Sequence, residues 1–120
     1  MQLVYDNTKV QRQCTDLKMA KKLFGGNDLM ARSLFARINA LQQANVLKDI
    51  VVMPTFHFHK LNGNMEGLFA IDVKTRRDPW RIVLQPLDEN KEINQSHRVR
   101  RWRTRFFLFK KVNVVDVVKS

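Results

Sequence analysis

The chain has 120 residues, 44% of them hydrophobic, which suffices for one core, and nothing in the composition indicates a second domain. We therefore predict a single domain over 1–120. Lys and Arg number 22 against 11 acidic residues, and the net charge of +11 predicts a polyanionic partner, nucleic acid or the ribosome, the alternative being a basic surface that is merely solvated.

Cysteine usage and the known short motifs narrow the chemistry further. The single Cys14 excludes an intramolecular disulfide framework and is typical of a reducing compartment. It has no recognised zinc spacing to the three histidines, and no phosphate-binding or dinucleotide-binding glycine motif is present, so we predict neither a metal nor a cofactor. The sequence has no leader-like N-terminus and no membrane-length apolar run, which predicts a cytoplasmic protein without a membrane partner.

The first part of the chain predicts a strand followed by two helices. A short strand spans Gln2 to Tyr5, and a helix opens at Thr8, whose spacing to Gln11 is that of a capping box. Apolar residues then recur at helical intervals until Gly25 and Gly26 end the helix. The residues of this stripe are Val10, Cys14, Leu17 and Phe24.

A second helix follows at once. Asn27 or Asp28 caps it, and it ends near 44–45 after an apolar stripe formed by Met30, Leu34, Ile38 and Leu41. Because each helix has an apolar face that must be buried, the two helices are expected to form a hairpin that covers one face of a sheet. The stretch 46–54 is a connector.

Three short apolar runs, 56–61, 67–74 and 80–87, predict three antiparallel strands. Asn and Gly residues between the first two runs supply a turn, and a second turn over 75–79 carries two arginines at its tip.

Alternation along these strands predicts which side chains share a face. Trp80 is expected in the core and Arg81 on the outer face, where His57 and His59 also project. Imidazoles beside a guanidinium on one open surface are a layout that suits cleavage of a phosphodiester. The alternative for Arg81 is an ion pair with Asp72 across the strand pair, and for each histidine a half-buried position at a strand end.

After a polar turn comes a dense basic run over 96–105. Its positively charged side chains are suited to RNA phosphates, and its indole is suited to stacking on a base, although a self-repelling loop has the same composition. The residues expected to contact RNA here are Arg100, Arg101, Trp102 and Arg103. A long final strand is expected over 106–118, with Phe107 or Phe109 in the core.

Three segments together resemble a known family. They read HKLNGNMEGLFAIDV over 59–73, WRI over 80–82 and KKVNVVDVV over 110–118, and they resemble the RelE/ParE superfamily of bacterial toxins, in particular its HigB-type branch. The resemblance covers nearly the whole chain in element order, and its specific part runs from His59 to Leu87.

The resemblance implies a fold and an activity. The fold would be α+β, a twisted antiparallel sheet of about four to five strands with the helical hairpin on one face. The activity would be metal-independent cleavage of messenger RNA on the ribosome, in which the RNA 2′-hydroxyl attacks the adjacent phosphate. The implied partners are the ribosome with its message and a helix-turn-helix antitoxin, through which alone the protein would reach operator DNA.

Carried onto this sequence, the family pattern implies His59, Arg81 and Arg77 as catalytic residues. Further contacts with RNA are expected from His57, Lys60, Lys74 and Arg76. The role of the family's second arginine stays open among Lys74, Arg76 and Arg77.

The chain also departs from the family pattern. Asn62 stands where a lysine often precedes the turn glycine, and the chain ends without the Tyr-His pair that helps proton transfer in many members, which predicts reduced catalysis or a truncated tail. Two other functions therefore stay open, a non-catalytic module that binds RNA or DNA and an inhibitor of a protein target such as DNA gyrase.

Overall fold

The computed structural model describes residues 1–65, 67–87 and 107–120, and it has the predicted α+β class. Four helices lie within these residues, α1 (Thr8–Thr15), α2 (Leu17–Leu23), α3 (Asp28–Gln43) and α4 (Lys48–Val51). The same part of the chain contains five strands, β1 (Gln2–Tyr5), β2 (His59–Lys60), β3 (Phe69–Asp72), β4 (Trp80–Leu87) and β5 (Lys111–Lys119). Single 3₁₀ turns lie at Pro54–Phe56 and Gly63–Met65.

The predicted first helix is divided in two at Asp16. Asp16 has extended backbone angles, and its N–H donates to the Arg12 carbonyl at the end of α1. Its carboxylate accepts from the backbone N–H of Lys18 at 2.9 Å and so caps α2. One side chain thus ends one helix and begins the next, because an aspartate competes well for free N–H groups at a helix start. Gly25 and Gly26 follow α2 with positive φ angles, as expected for a helix terminator.

The helix α3 carries the predicted apolar stripe. Asn27 caps it by accepting from the Met30 N–H at 3.1 Å, and the helix ends at Gln43, close to the predicted end. Its buried residues are Met30, Ala31, Leu34, Ile38 and Leu41. None of the helices in the described part of the chain combines the length and the apolar character that crossing a bilayer requires.

The sheet has the strand order β1-β5-β4-β3-β2, in which β2, β3, β4 and β5 are antiparallel neighbours and β1 runs parallel to β5. A bulge at Val83–Leu84 shifts the β4–β5 register. The helices bury the face that carries Ile71, Ile82, Leu84 and, from β5, Val112, Val114 and Val117. Trp80 is half-buried and meets Phe24 edge to face at 4.9 Å, which is the core position expected for it.

The strand predicted over 56–61 is wrong in its first half. Phe56 ends a 3₁₀ turn, His57 has left-handed backbone angles (φ 52°, ψ 51°), and only His59–Lys60 pairs with β3. The apolar alternation in the sequence has another origin, since Phe56 packs under the Arg37 guanidinium and Phe58 stacks on Phe69. Apolar residues therefore alternate with histidines in this sequence without forming a continuous strand.

The final strand begins later than predicted. Residues 107–110 precede β5, and the carbonyls of Phe107 and Phe109 accept from the backbone N–H groups of Lys48 and Leu47, both at 2.9 Å. Both phenylalanines are half-buried. The segment thus holds the start of α4 in place through its backbone.

The cap of α1 gives a first prediction. Asn7, and not Thr8, accepts from the Val10 N–H at 2.9 Å. We expect Asn7→Ala to lower the free energy of unfolding by about 1 kcal/mol, the usual cost of losing an N-cap. Thr8→Ala is the matched control and should change it by less than about 0.5 kcal/mol. Urea unfolding followed by circular dichroism measures both, and a larger loss for Thr8→Ala would contradict the assignment.

Cys14 gives a second prediction. Its side chain is 3% exposed, and burial, together with the negative charge of Asp116, raises the pKa of the thiol from 9.0 to about 12. A raised pKa keeps the thiol protonated at neutral pH, so the nucleophilic thiolate is scarce. We expect the folded protein to react with a maleimide roughly 10³-fold more slowly than the urea-unfolded protein at pH 7.5. Comparable rates in the two states would show that Cys14 is accessible.

Candidate functional site: two histidines beside a buried carboxylate and a basic depression

The site is built around Asp72, the last residue of β3. Its side chain is 1% exposed, and its Oδ1 lies 3.1 Å from His57 Nδ1 and 3.2 Å from Arg81 Nε. The strand register brings the arginine there, since Asp72 and Arg81 are direct partners across β3 and β4. A carboxylate is stable at such depth only when charged or hydrogen-bonding groups replace the lost water.

His57 reaches Asp72 because its left-handed backbone turns the chain after the 3₁₀ segment. A carboxylate oxygen can only accept, so His57 Nδ1 carries the hydrogen of this bond. In the neutral ring the lone pair therefore lies on Nε2. The carboxylate thus fixes both the orientation and the tautomer of the imidazole.

His59 has the same tautomer for a related reason. Its Nδ1 lies 2.7 Å from the backbone carbonyl of His57, and a carbonyl oxygen also only accepts. The two rings stack with centroids 4.5 Å apart and planes 28° from parallel. Two imidazoles therefore lie side by side, each anchored through Nδ1 and each with Nε2 as the nitrogen able to exchange a proton.

Arg81 is held mainly by the protein itself. Its side chain is 15% exposed, and besides Asp72 it donates to three backbone carbonyls, those of Asp78, Trp80 and Arg76. The sequence-based alternative of an ion pair with Asp72 is therefore what the structure contains, although the pair is buried and not on the surface. The geometry gives Arg81 an anchoring role, with one N–H of Nη2 not used by these bonds.

Beside the histidines lies a depression of about 670 Å³, here called the basic depression. Its charged lining residues are Arg37, Asp72, Lys74, Arg76 and Arg77, and Pro54, Thr55 and Thr75 complete the lining. Arg76 and Arg77 are exposed at the tip of the β3–β4 turn, as predicted, and Lys74 is half-buried. Asp72 belongs both to this lining and to the histidine cluster, so the two features adjoin.

The strand register separates the predicted residues between the two faces of the sheet. The register puts His59 on the same face of the sheet as Arg81, as alternation predicted, whereas Lys60, the next residue along the strand, projects to the opposite side. Lys60 is thereby separated from the two imidazoles. The expected RNA contacts Arg100, Arg101, Trp102 and Arg103 lie outside the described residues.

Sequence reasoning missed two residues of the site. Arg37 was one basic residue among many on the helices, and no local pattern marks it as the partner of backbone carbonyls in β3 and in the 3₁₀ turn. Asp72 was considered only as an alternative partner of Arg81. A signal for it exists, because it is an acidic residue inside the otherwise apolar run FAIDV, where a charge needs a specific partner.

No protein-family model matches the chain, and no curated protein matches it either. Within the described ranges, no three His, Cys, Asp or Glu side chains are grouped so that they would hold a metal ion.

The buried pair gives a third prediction. Arg81→Met keeps the apolar stem but leaves Asp72 with less compensation, so we expect the free energy of unfolding to fall by about 3 kcal/mol. The double variant Asp72→Asn with Arg81→Met should lose less than the two single variants together, because it leaves no unpaired charge.

Arg76→Met is the matched control, since that side chain is exposed, and it should cost less than about 0.5 kcal/mol. Chemical unfolding of all four variants provides the measurement. Equal losses for Arg81→Met and Arg76→Met would contradict the anchoring role of Arg81.

Proposed function

We propose that this protein is a metal-independent endoribonuclease that cleaves messenger RNA on the ribosome, the toxin of a type II toxin-antitoxin system of the RelE/ParE superfamily and its HigB-type branch. The observation that carries the proposal is the stacked pair of His57 and His59, each oriented by an acceptor at Nδ1. The family resemblance of the segments around this pair supports the same reaction.

Two imidazoles meet the proton requirements of this reaction. One accepts the proton of the RNA 2′-hydroxyl through Nε2 while the 2′-oxygen bonds to the adjacent phosphorus. The other, in its protonated form, gives a proton to the 5′-oxygen as the bond from phosphorus to that oxygen breaks. The products are a 2′,3′-cyclic phosphate and a free 5′-hydroxyl, and each imidazole contributes roughly 10²- to 10⁴-fold in rate when acting as a general acid or base.

Positive charge around the histidines supports the reaction at the phosphate. The exposed guanidinium of Arg77 stands at the turn tip, and Arg81 adds its charge and the remaining N–H of Nη2 from beneath. Charge placed where negative charge develops stabilises the transition state more than the ground state. Arg77 acts on the phosphate in this scheme, and Arg81 acts mainly by holding Asp72 and with it His57.

The proposal extends to partners and place. A toxin of this kind acts in the cytoplasm and is suppressed by a helix-turn-helix antitoxin, which alone connects it to operator DNA. The net charge of +11 supports binding to RNA and to an acidic antitoxin segment. Purification from the native host should recover a small DNA-binding protein with the chain, and its absence would count against the antitoxin.

One alternative is favoured by a specific observation. Four of the five N–H donors of Arg81 bond to the protein, which leaves one for a phosphate. This arrangement also suits a module that binds RNA without cleaving it. Inhibition of a protein target such as DNA gyrase is the other alternative, and it rests on the superfamily resemblance alone.

Cleavage during translation tests the proposal. The protein is added to a purified translation system, and the 5′ ends of the message are mapped by primer extension. We expect new ends within the codon at the ribosomal A site, and a loss of roughly 10²- to 10⁴-fold in cleavage rate for His57→Ala and for His59→Ala. Lys18→Gln, an exposed change on α2, is the control and should leave the rate within twofold.

The outcomes separate the functions. An intact message that is nevertheless retarded by the protein in a gel would support the non-catalytic module. An intact message together with loss of gyrase supercoiling would support the inhibitor. Cleavage that persists in both histidine variants would overturn the assignment of the proton-transfer groups.

A further inference from the structure

Arg37 of α3 is fixed at the edge of the basic depression by three hydrogen bonds. Its Nε donates to the Asp72 carbonyl at 3.0 Å, and its Nη2 donates to the carbonyls of Lys74 at 2.8 Å and Thr55 at 3.1 Å. The Phe56 ring lies below the guanidinium, 4.8 Å from its carbon to the ring centroid. Helix α3, the 3₁₀ turn and the end of β3 therefore hold one guanidinium in a single orientation.

These bonds leave part of the guanidinium unused. An arginine has five N–H donors, and the three bonds take the one on Nε and the two on Nη2. The two donors of Nη1 are not used by them, although the side chain is half-buried and lines the depression. A half-buried cation with spare donors is stabilised by an acceptor that carries negative charge.

The rest of the lining has the matching charge. Lys74, Arg76 and Arg77 bring three more cations to the same depression, against the single carboxylate of Asp72. That carboxylate is already paired with Arg81 and His57. The net charge of the lining is therefore positive, and an anion in the depression is surrounded by the anchored guanidinium of Arg37 and the charges of Lys74, Arg76 and Arg77.

The turn that carries the two exposed arginines is also ordered by its own side chains. Thr75 Oγ1 donates to Asp78 at 3.0 Å and accepts from the Arg77 N–H at 3.2 Å, which holds the turn closed. Arg76 and Arg77 consequently project from a defined backbone, and their entropy cost on binding is confined to the side chains.

From this geometry we infer that the basic depression is a subsite for one phosphate group, with Arg37 Nη1 as its fixed donor and Lys74 and Arg76 as the surrounding charge. Arg77, which acts on the cleaved phosphate, also lines this depression and so lies next to both phosphates. Because Asp72 links the depression to the two histidines, the phosphate is the RNA backbone phosphate that neighbours the cleaved one. The inference rests on the proposed RNA substrate, but not on cleavage. It assigns to Arg37 a contact that keeps the RNA in register with the histidines.

The experiment measures binding without chemistry. A single-stranded RNA oligonucleotide, 2′-O-methylated throughout so that it cannot be cleaved, is titrated into the full chain, and inorganic phosphate is titrated separately. Arginine side-chain resonances are followed by ¹⁵N NMR. We expect the Arg37 signals to shift with both ligands, and to saturate with RNA at a far lower concentration than with free phosphate.

Two charge-matched double variants test the location. Arg76→Gln with Arg77→Gln removes charge from the depression, and Lys18→Gln with Lys22→Gln removes the same charge from exposed positions on α2. We expect the first variant to weaken RNA binding by roughly tenfold or more and to flatten the slope of log K against log salt by about 0.7 for each lost phosphate contact. The α2 variant should weaken binding less than threefold.

Arg37→Lys retains the charge but loses the fork that reaches three carbonyls and the phosphate together. Thermal unfolding of the Arg37→Lys variant is recorded alongside its RNA binding. If that variant does not fold, the double variant Arg76→Gln with Arg77→Gln tests the location of the subsite. Equal weakening by the two double variants, or unshifted Arg37 signals at saturating RNA, would overturn the subsite. Local RNA binding without cleavage of a natural message would leave the subsite standing and remove the proposed catalysis.

Discussion

The buried carboxylate of Asp72 is the constraint on which the rest of this structure depends. Removing an ionised carboxylate from water costs several kcal/mol, and the cost is offset only by well-placed partners. The chain supplies them from two directions, Arg81 from the neighbouring strand and His57 from the turn before β2. The Asp72 backbone carbonyl is bound in turn by Arg37 of α3. One residue thereby fastens a strand, a turn and a helix at the same corner of the sheet, and the side chains that could act on RNA are oriented as part of that fastening.

Local patterns in the sequence determine much of this architecture. The strands β1 and β4 have their predicted bounds, and α3 has its predicted cap and stripe, because caps and periodicity depend on neighbouring residues alone. The break at Asp16 was not predicted, because apolar periodicity does not show that the Asp16 carboxylate caps a new helix. Phe56 and Phe58 pack for two separate reasons, a cation above one ring and a stacked partner for the other, and their spacing in the sequence had the period of a strand.

The site was predictable to a lesser degree for a physical reason. His57, His59 and the arginines of the turn were predicted from residue type alone, because imidazole and guanidinium groups can transfer protons or bind phosphate. What orients them is invisible locally, since Arg37 meets Lys74 and Thr55 only after the sheet and helices have assembled. The roles of Arg81 and Arg37 illustrate the difficulty. Both are cations bound to Asp72 and to backbone carbonyls, yet Arg81 has one N–H donor left over from these bonds, whereas Arg37 has two.

The pairing of β1 with β5 has a consequence for how the protein comes into being. The first of the described strands lies parallel to the last of them, and β5 fills the place between β1 and β4. A chain still under synthesis therefore has two strand edges waiting for one missing neighbour, and contacts so distant in sequence form slowly. Any message that ends before residue 111 would yield a polypeptide with an open gap in its sheet. The sheet is therefore complete only after translation has passed β5, and a message interrupted before that point leaves β1 and one edge of β4 without their neighbour.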